Sequence, residues 1–411
     1  MYLDSRRKGG SMLRFFLSVL FVTIILLSSN CGKPSIELKP YGDPIVLEDL
    51  KPPRRDYWPT QAWRVSKPEA QGMNSSKLLE MEKYAFTIEG TPEDRQGTRT
   101  DGVVIIRNGY LVYENYGRGY SAEQKHLIWS IAKSYTNALV GVAVSKGLVQ
   151  LDDPAYKYVP ELGHSEEHKK ITIRHILNMS SGLEASEGYE SSPLVSTVIA
   201  MLYTKGRANM GAYSASLGLR AEPGSFVYYS SCDTNILSLA LQNIYGKEVY
   251  SDLPWKDIFN PLGIKNVTYE RDGNDVFVGS SYIYTTPRDM AKFGYLYLND
   301  GIWENKRILP QGWVTLSRTP SPAYKSTPYY TKLEEDNYTA QWYANTGVPE
   351  AGIPKPMPDA PADTFYGSGH WGQRLFVIPS LDLVIVRVGD DRNVKFFDNN
   401  LFIKYIVESI Q

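Results

Sequence analysis

What most constrains this chain is where its strand-forming runs fall. Gly102 to Tyr116 alternates and turns at Asn108-Gly109, the strongest short hairpin signal, and so reads as two antiparallel strands. Further β-rich runs come only late, at Val267–Glu270, Thr339–Tyr343, Arg374–Ile378 and Leu383–Val388. Elsewhere the apolar spacing is helical: Ser75–Thr87, Ile131–Ser145 ending at Gly147, Thr172–Met179, Leu194–Thr204, Thr234–Tyr245, Pro287–Asn299, Pro310–Arg318 and Phe397–Ile410. Strands at both ends around a helical middle imply an α+β fold. One antiparallel sheet is expected from N- and C-terminal segments, flanked by helices, with an all-helical subdomain inserted at about 121–265.

Charge and cysteine usage narrow the function. Lys+Arg 44 against Asp+Glu 45, with no basic stretch outside the N-terminus, argues against binding nucleic acid by bulk electrostatics. Two cysteines build neither a disulfide framework nor a Cys-rich zinc site. No Walker A, dinucleotide fingerprint or G-x-S-x-G occurs, so no metal or cofactor is expected and no nucleophile elbow is present. His164-Ser-Glu-Glu167-His168 matches H-x-x-E-H, but it lies in a polar stretch without apolar period and reads as a solvated loop. His126 and His175 show no partner and default to structural roles.

The N-terminus reads as an address. Arg6, Arg7, Lys8 and Arg14 precede an apolar run from Phe15 to Leu27, short for a bilayer span, which is the pattern of an export signal. The run ends in Leu27-Ser-Ser-Asn-Cys31, which resembles a bacterial lipoprotein processing site with Cys31 as the lipidated residue. A soluble exported protein and an uncleaved anchor are the alternatives. Residues 1–31 are therefore expected as leader, the Pro-rich segment 32–56 as tether, and 57–411 as one folded domain in the bacterial cell envelope.

Chemistry concentrates in three places. Ser130-Ile-Ala-Lys133 opens the apolar helix, and residues three apart share a helix face, so the Lys amine can reach the Ser hydroxyl. Burial and the helix N-terminus both disfavour an ammonium and make Lys133 a candidate base for a Ser130 nucleophile. Such a spacing arises about twice by chance in this composition; the other match, Ser5 to Lys8, lies in the leader. A packed helix with a snorkelling lysine is the structural alternative. Tyr228-Tyr229-Ser230-Ser231 precedes a helix and supplies a phenol that could relay a proton to a leaving group. Gly367-Ser368-Gly369-His370-Trp371-Gly372-Gln373 leads into a strand and reads as a Gly-rich loop beside a sheet edge, where a backbone N–H could complete an oxyanion hole.

Taken in order, Ser130-x-x-Lys133, Tyr229-Ser-Ser and Gly367-Ser-Gly resemble the motifs of the serine β-lactamase and penicillin-binding-protein superfamily. The likeness is greatest to its class C-like esterase and amidase branch, which includes 6-aminohexanoate-dimer hydrolases. Leu148-Val-Gln-Leu-Asp-Asp-Pro154, Ile171 to Gly182 and Tyr284 to Gly294 extend it over about 60–410. The resemblance implies a β-lactamase/transpeptidase-like fold, Ser130 as acylated nucleophile, Lys133 as base, Tyr229 as proton relay, and the N–H groups of Ser130 and His370 as oxyanion hole. Ser231 stands where the family's Tyr-x-Asn has Asn, and Gly367-Ser368-Gly369 stands for Lys-Thr-Gly, which removes a substrate-pairing cation. His370-Trp371-Gly372 is the alternative register.

A small-molecule ester or amide is thus the expected substrate, with membrane contact through the lipid. Ser231, Gly367, Ser368, Gly369, Trp342 and Tyr189 are the expected substrate-binding positions, the last two as aromatic walls. The rival functions are a penicillin-recognising D-Ala-D-Ala carboxypeptidase or β-lactamase, and a catalytically silent surface binding protein on the same scaffold.

Overall fold

Four consecutive β-branched residues, Val103 to Ile106, offer neither face of a strand a polar side, and all four are fully buried. The structure is a computed structural model and describes residues 42–88, 91, 93, 98–189, 191–327, 337–392 and 397–411. In it this run lies inside strand β2 of a seven-stranded sheet: β1 (Arg64–Val65), β2 (Thr100–Arg107), β3 (Tyr110–Tyr116), β4 (Tyr343–Ala344), β5 (Phe365–Gly369), β6 (Gln373–Ile378) and β7 (Leu383–Gly389). Their spatial order is β1-β3-β2-β7-β6-β5-β4. An early strand and the last strand of the folded body meet at the β2–β7 ladder, where Arg107 faces Leu383. Every pairing is antiparallel except β1 with β3. The hairpin turn joining β2 and β3 is Asn108-Gly109, both at positive φ (52° and 80°), as expected of a tight two-residue loop.

Alternation along the strands divides the interior in two. Val104, Ile106, Leu375, Val377, Val384 and Val386 face α2 (Ala132–Ser145) and α4 (Pro287–Leu298), while Val103, Ile105, Phe376, Ile378 and Ile385 face α1 (Ser75–Phe86) and α5 (Asn399–Glu408). Each such side chain contributes about 1.5–3 kcal/mol of burial free energy, so a one-residue slip of any central strand is prohibitive. Helix α2 is buried at every position from Ala132 to Ala143. Two of its polar members are satisfied by the loop before β4: Ser134 Oγ donates to Gln341 O (3.0 Å) and Asn137 Nδ2 to Ala340 O (2.8 Å).

The α+β expectation holds, with corrections in detail. Of the expected strand Thr339–Tyr343 only Tyr343 is extended, because Thr339 N–H bonds Trp342 O and Gln341 takes φ 66°, which folds this stretch into a turn. The expected loop at Gly367–Gly369 is strand β5. Glycines hid it, since their β-propensity is low. The middle of the chain, with α3 (Ser231–Tyr245) as its long helix, also holds a short strand, His126–Leu127. This pairs with Ile283–Thr285, which pairs with Val267–Tyr269.

Residues 1–41, including the leader and Cys31, lie outside the described residues. The described part of the expected tether is held on the body: Arg55 bonds Asp382 through both terminal nitrogens (2.7 and 2.6 Å), Thr315 Oγ1 donates to Asp49 Oδ1 (2.7 Å), and Arg318 donates to Glu48 O. Among the described residues no helix is long and apolar enough to cross a membrane.

Candidate active site

The chain enters the centre of the molecule through a 3-10 turn, Trp129–Ile131, that runs directly into α2. Trp129 sits at φ 49°, a left-handed conformation unusual for a bulky residue. It redirects the chain between two supports. Ile128 N–H bonds Ile283 O (3.0 Å) on one side, and β5 presses on the other. A side chain at Gly369 would collide with Ile128 O, so glycine there is what lets the strand approach. Ser130 is left half-buried at the helix N-terminus, where backbone N–H groups point outward.

One turn on, Lys133 is 2% exposed. Its Nζ lies 3.1 Å from Ser130 Oγ, 3.0 Å from Ser231 Oγ and 3.0 Å from Ser280 O. No carboxylate touches it directly. Burial pulls its pKa down to about 8, against the raising influence of Glu187. Glu187 in turn accepts from Ser231 N–H (2.5 Å) and Ser231 Oγ (2.9 Å), and burial pushes its pKa up. Ser231 thus bridges a base and an acid.

Tyr229 completes the cluster. Lys133 Nζ is 4.8 Å from its ring centre, and the Ser130 hydroxyl is a hydrogen-bonding neighbour of its phenol. Burial, with the nearby Tyr343, Glu187 and Tyr189, drives the phenol pKa well above its ordinary value, so it carries its proton at neutral pH. Tyr338 and Tyr343 pack around the ring at 5.3 and 6.1 Å.

Opposite stands a wall of rings. His370 follows Gly369 at the end of β5 and packs against Trp129 (5.4 Å), Trp371 (4.6 Å) and Tyr189 (5.2 Å, stacked). The Tyr189 hydroxyl reaches Ser231 Oγ at 3.3 Å. The turn His370–Gly372 has Trp371 at φ 58° and Gly372 at φ 92°.

The structure therefore brings Ser130, Lys133, Tyr229, Tyr189, Ser231, His370 and the β5 residues Gly367 to Gly369 together. Trp342 is a correction: it is 1% exposed and packs with Tyr297 (4.6 Å), Phe365 (5.3 Å) and Phe293 (6.0 Å) in the core. Ser231 is another. It is fully buried behind Lys133 and cannot touch a ligand. Glu187 falls in the segment Ser186-Glu187-Gly188-Tyr189, which the sequence places at the border of the site, but its bonds to Ser231 carried no signal there.

His126 does have a partner, the buried Asp101 at 2.7 Å, itself 3.0 Å from Arg118. The H-x-x-E-H segment differs too: His168 is buried, bonded to Ser165 Oγ and Leu217 O, and packs at a tilt against His164. Among the described residues no group of three His, Cys, Asp or Glu is placed to hold a metal. Cys232 is buried and free, its thiol pKa raised to about 12 by burial. Of the aromatic run before β4, Tyr324 is core, whereas Tyr329 and Tyr330 lie outside the described residues.

Known proteins resemble this chain in sequence and in fold. A protein-family model described as Beta-lactamase matches residues 81–404. The 6-aminohexanoate-dimer hydrolase of Paenarthrobacter ureafaciens is 23% identical over 321 residues, 76% of this chain and 78% of that protein. A family VIII carboxylesterase superposes with a TM-score of 0.59 at 14% identity, over 81% of this chain and 96% of that one. The octameric penicillin-binding protein homologue from Pyrococcus abyssi gives 0.59 at 18%, over 82% and 77%.

Proposed function

Because the chain belongs to the beta-lactamase family, we propose that it is a serine hydrolase that cleaves uncharged esters or amides through a Ser130 acyl-enzyme. The observation that carries this reading is the arrangement around Lys133 Nζ. With Ser231 Oγ and Ser280 O each taking one N–H, the neutral amine directs its lone pair at Ser130 Oγ, 3.1 Å away. Ser231 does not compete for that lone pair, because its one O–H is donated to Glu187.

Lys133 removes the Ser130 proton as Oγ attacks the acyl carbon. The ammonium then returns a proton to the leaving group by way of Tyr229, whose neutral phenol is a donor. Water attacks the acyl-enzyme in the second half, with Lys133 again as base. The N–H groups of Ser130 and His370 receive the carbonyl oxygen as it gains charge.

The absence of a cation at Gly367 favours uncharged substrates, since a β-lactam or peptide carboxylate would find no partner there. Arg374, on the neighbouring strand, is already occupied by Gly369 O, Gln373 O and Asn399 Oδ1. The 6-aminohexanoate-dimer hydrolase and carboxylesterase likenesses lean the same way. Export and lipid attachment at Cys31 belong to the same proposal, and palmitate labelling lost in Cys31→Ala tests them.

A fluorophosphonate probe is expected to label Ser130 and nothing in Ser130→Ala. Turnover should follow for p-nitrophenyl esters or 6-aminohexanoate amides, with a chromogenic cephalosporin far slower. An unlabelled Ser130 in folded protein would overturn the reading, and fast cephalosporin cleavage would move it to a β-lactamase. If Ser130→Ala kept its full biological effect, the protein would be a binding module.

A further inference from the structure

An oxyanion hole made of backbone depends on how firmly its peptide planes are held. The donor from β5 is the N–H of the peptide joining Gly369 to His370. In a trans peptide the C=O and N–H point to opposite sides, so whatever grips Gly369 O also aims His370 N–H. That carbonyl is gripped by a cation: Arg374 Nη1 donates to Gly369 O at 3.1 Å and to Gln373 O at 2.8 Å, while Arg374 Nε is anchored on Asn399 Oδ1 at 3.2 Å.

The turn beyond is held just as completely. Gln373, 1% exposed, directs Nε2 at His370 O (3.2 Å), Trp371 O (3.3 Å) and Gly389 O (2.6 Å), and its Oε1 accepts from Gly389 N–H (3.1 Å). Trp371 O also accepts from Asp391 N–H (3.0 Å), and Gly372 O from Arg387 Nη1 (2.9 Å). Every carbonyl from Gly369 to Gly372 thus points at a fixed donor on the protein side.

Resting on the Ser130 acyl-enzyme reading, we propose that Arg374 is a positioning residue for the oxyanion hole. Its guanidinium orients the Gly369–His370 peptide and polarises it, which strengthens His370 N–H as a donor exactly where charge develops on the substrate oxygen. The effect runs through a hydrogen bond in series: a cation on the carbonyl draws electron density from the amide nitrogen and leaves its hydrogen more positive. Because the substrate carbonyl is neutral and the tetrahedral intermediate is anionic, the gain falls on the transition state and not on substrate binding.

The test is Arg374→Met assayed on a p-nitrophenyl ester, with turnover expressed per Ser130 titrated by fluorophosphonate, so that unfolded molecules do not count. The expected result is kcat lower by about ten- to a hundredfold with KM nearly unchanged. Affinity for an alkyl boronic acid, which forms a tetrahedral anion on Ser130, should fall in parallel. Arg374→Lys, which keeps one charged donor, should recover most of the loss. Should Arg374→Met fail to fold, Asn399→Ala removes only the Nε anchor and is expected to lower kcat about two- to fivefold, again with boronate affinity. A folded Arg374→Met whose kcat per titrated site and boronate affinity match wild type would overturn the proposal, as would losses confined to KM. Absence of Ser130 labelling in the wild type would instead bring down the parent reading and this one with it.

Discussion

Arg387 and Lys133 are both buried basic side chains, and they are treated in opposite ways. Arg387, fully buried, is met on all sides. Asp391 takes two of its N–H groups at 2.8 and 3.0 Å, Thr100 Oγ1 takes two more, and Gly372 O lies within 2.9 Å. Lys133, nearly as buried, is given two hydroxyls and a carbonyl, and the closest acid, Glu187, acts from behind Ser231. A guanidinium matched to a carboxylate keeps its charge and becomes a fixed part of the scaffold. An ammonium offered only neutral partners is stable without its proton, and that is what a base needs. Burial by itself decides nothing; the partner decides.

The contrast can be broken most sharply at Lys133. Lys133→Met is expected to lower kcat/KM by about 10³–10⁴-fold, while its melting temperature at pH 7 stays level or rises because a poorly matched charge has gone. Lys133→Arg should be equally inactive, since a guanidinium does not give up its proton; an active arginine variant would show that charge alone was required. At the other site, Asp391→Ala leaves Arg387 buried without its carboxylate. A loss of about 3–5 kcal/mol in urea unfolding is expected, and a near-neutral result would mean the pair is not structural.

The pH dependence sharpens the comparison further. Lys133 must be neutral to act, so kcat/KM should fall by tenfold per unit on the acid side and level off above about 8. Stability follows the same lysine: between about 8 and its ordinary value of 10.5 the unfolded chain binds the proton and the folded one does not, so this residue's contribution rises with pH across that window. The smallest effect belongs to Glu187→Gln. Its carboxylate raises the Lys133 pKa, so removing it should move the acid limb to lower pH, by about half a unit, in the same pH–rate measurement. A shift upward would assign Glu187 another task.

How much of this was legible depended on how far apart the cooperating residues lie in the chain. Ser130 and Lys133 declare each other, because a helix places residues three apart on one face. The hairpin at Asn108-Gly109 is local for a similar reason. Tyr229 became readable only through motif order. Ser280 meets Lys133 by tertiary folding alone, and Glu187, though it neighbours Tyr189, reaches that lysine only by way of Ser231, an encounter that no local spacing marks. Trp342 looked like a pocket wall in an aromatic-rich stretch, yet the turn at Gln341 directs it into the core. Strand β5 looked like a loop because the property that matters there, a backbone close enough to pass Ile128, is carried by the side chains it lacks.

The meeting of β2 and β7 has a consequence in time. The pairing that holds the sheet together joins residues such as Arg107 and Leu383, so the loop to be closed spans about two thirds of the chain. A chain still emerging from the ribosome can form the β2–β3 hairpin and helix α2, but it has no central ladder until its last strands arrive. Folding that waits on so distant a pairing is slow, and the β2 edge that β7 covers stays open until then.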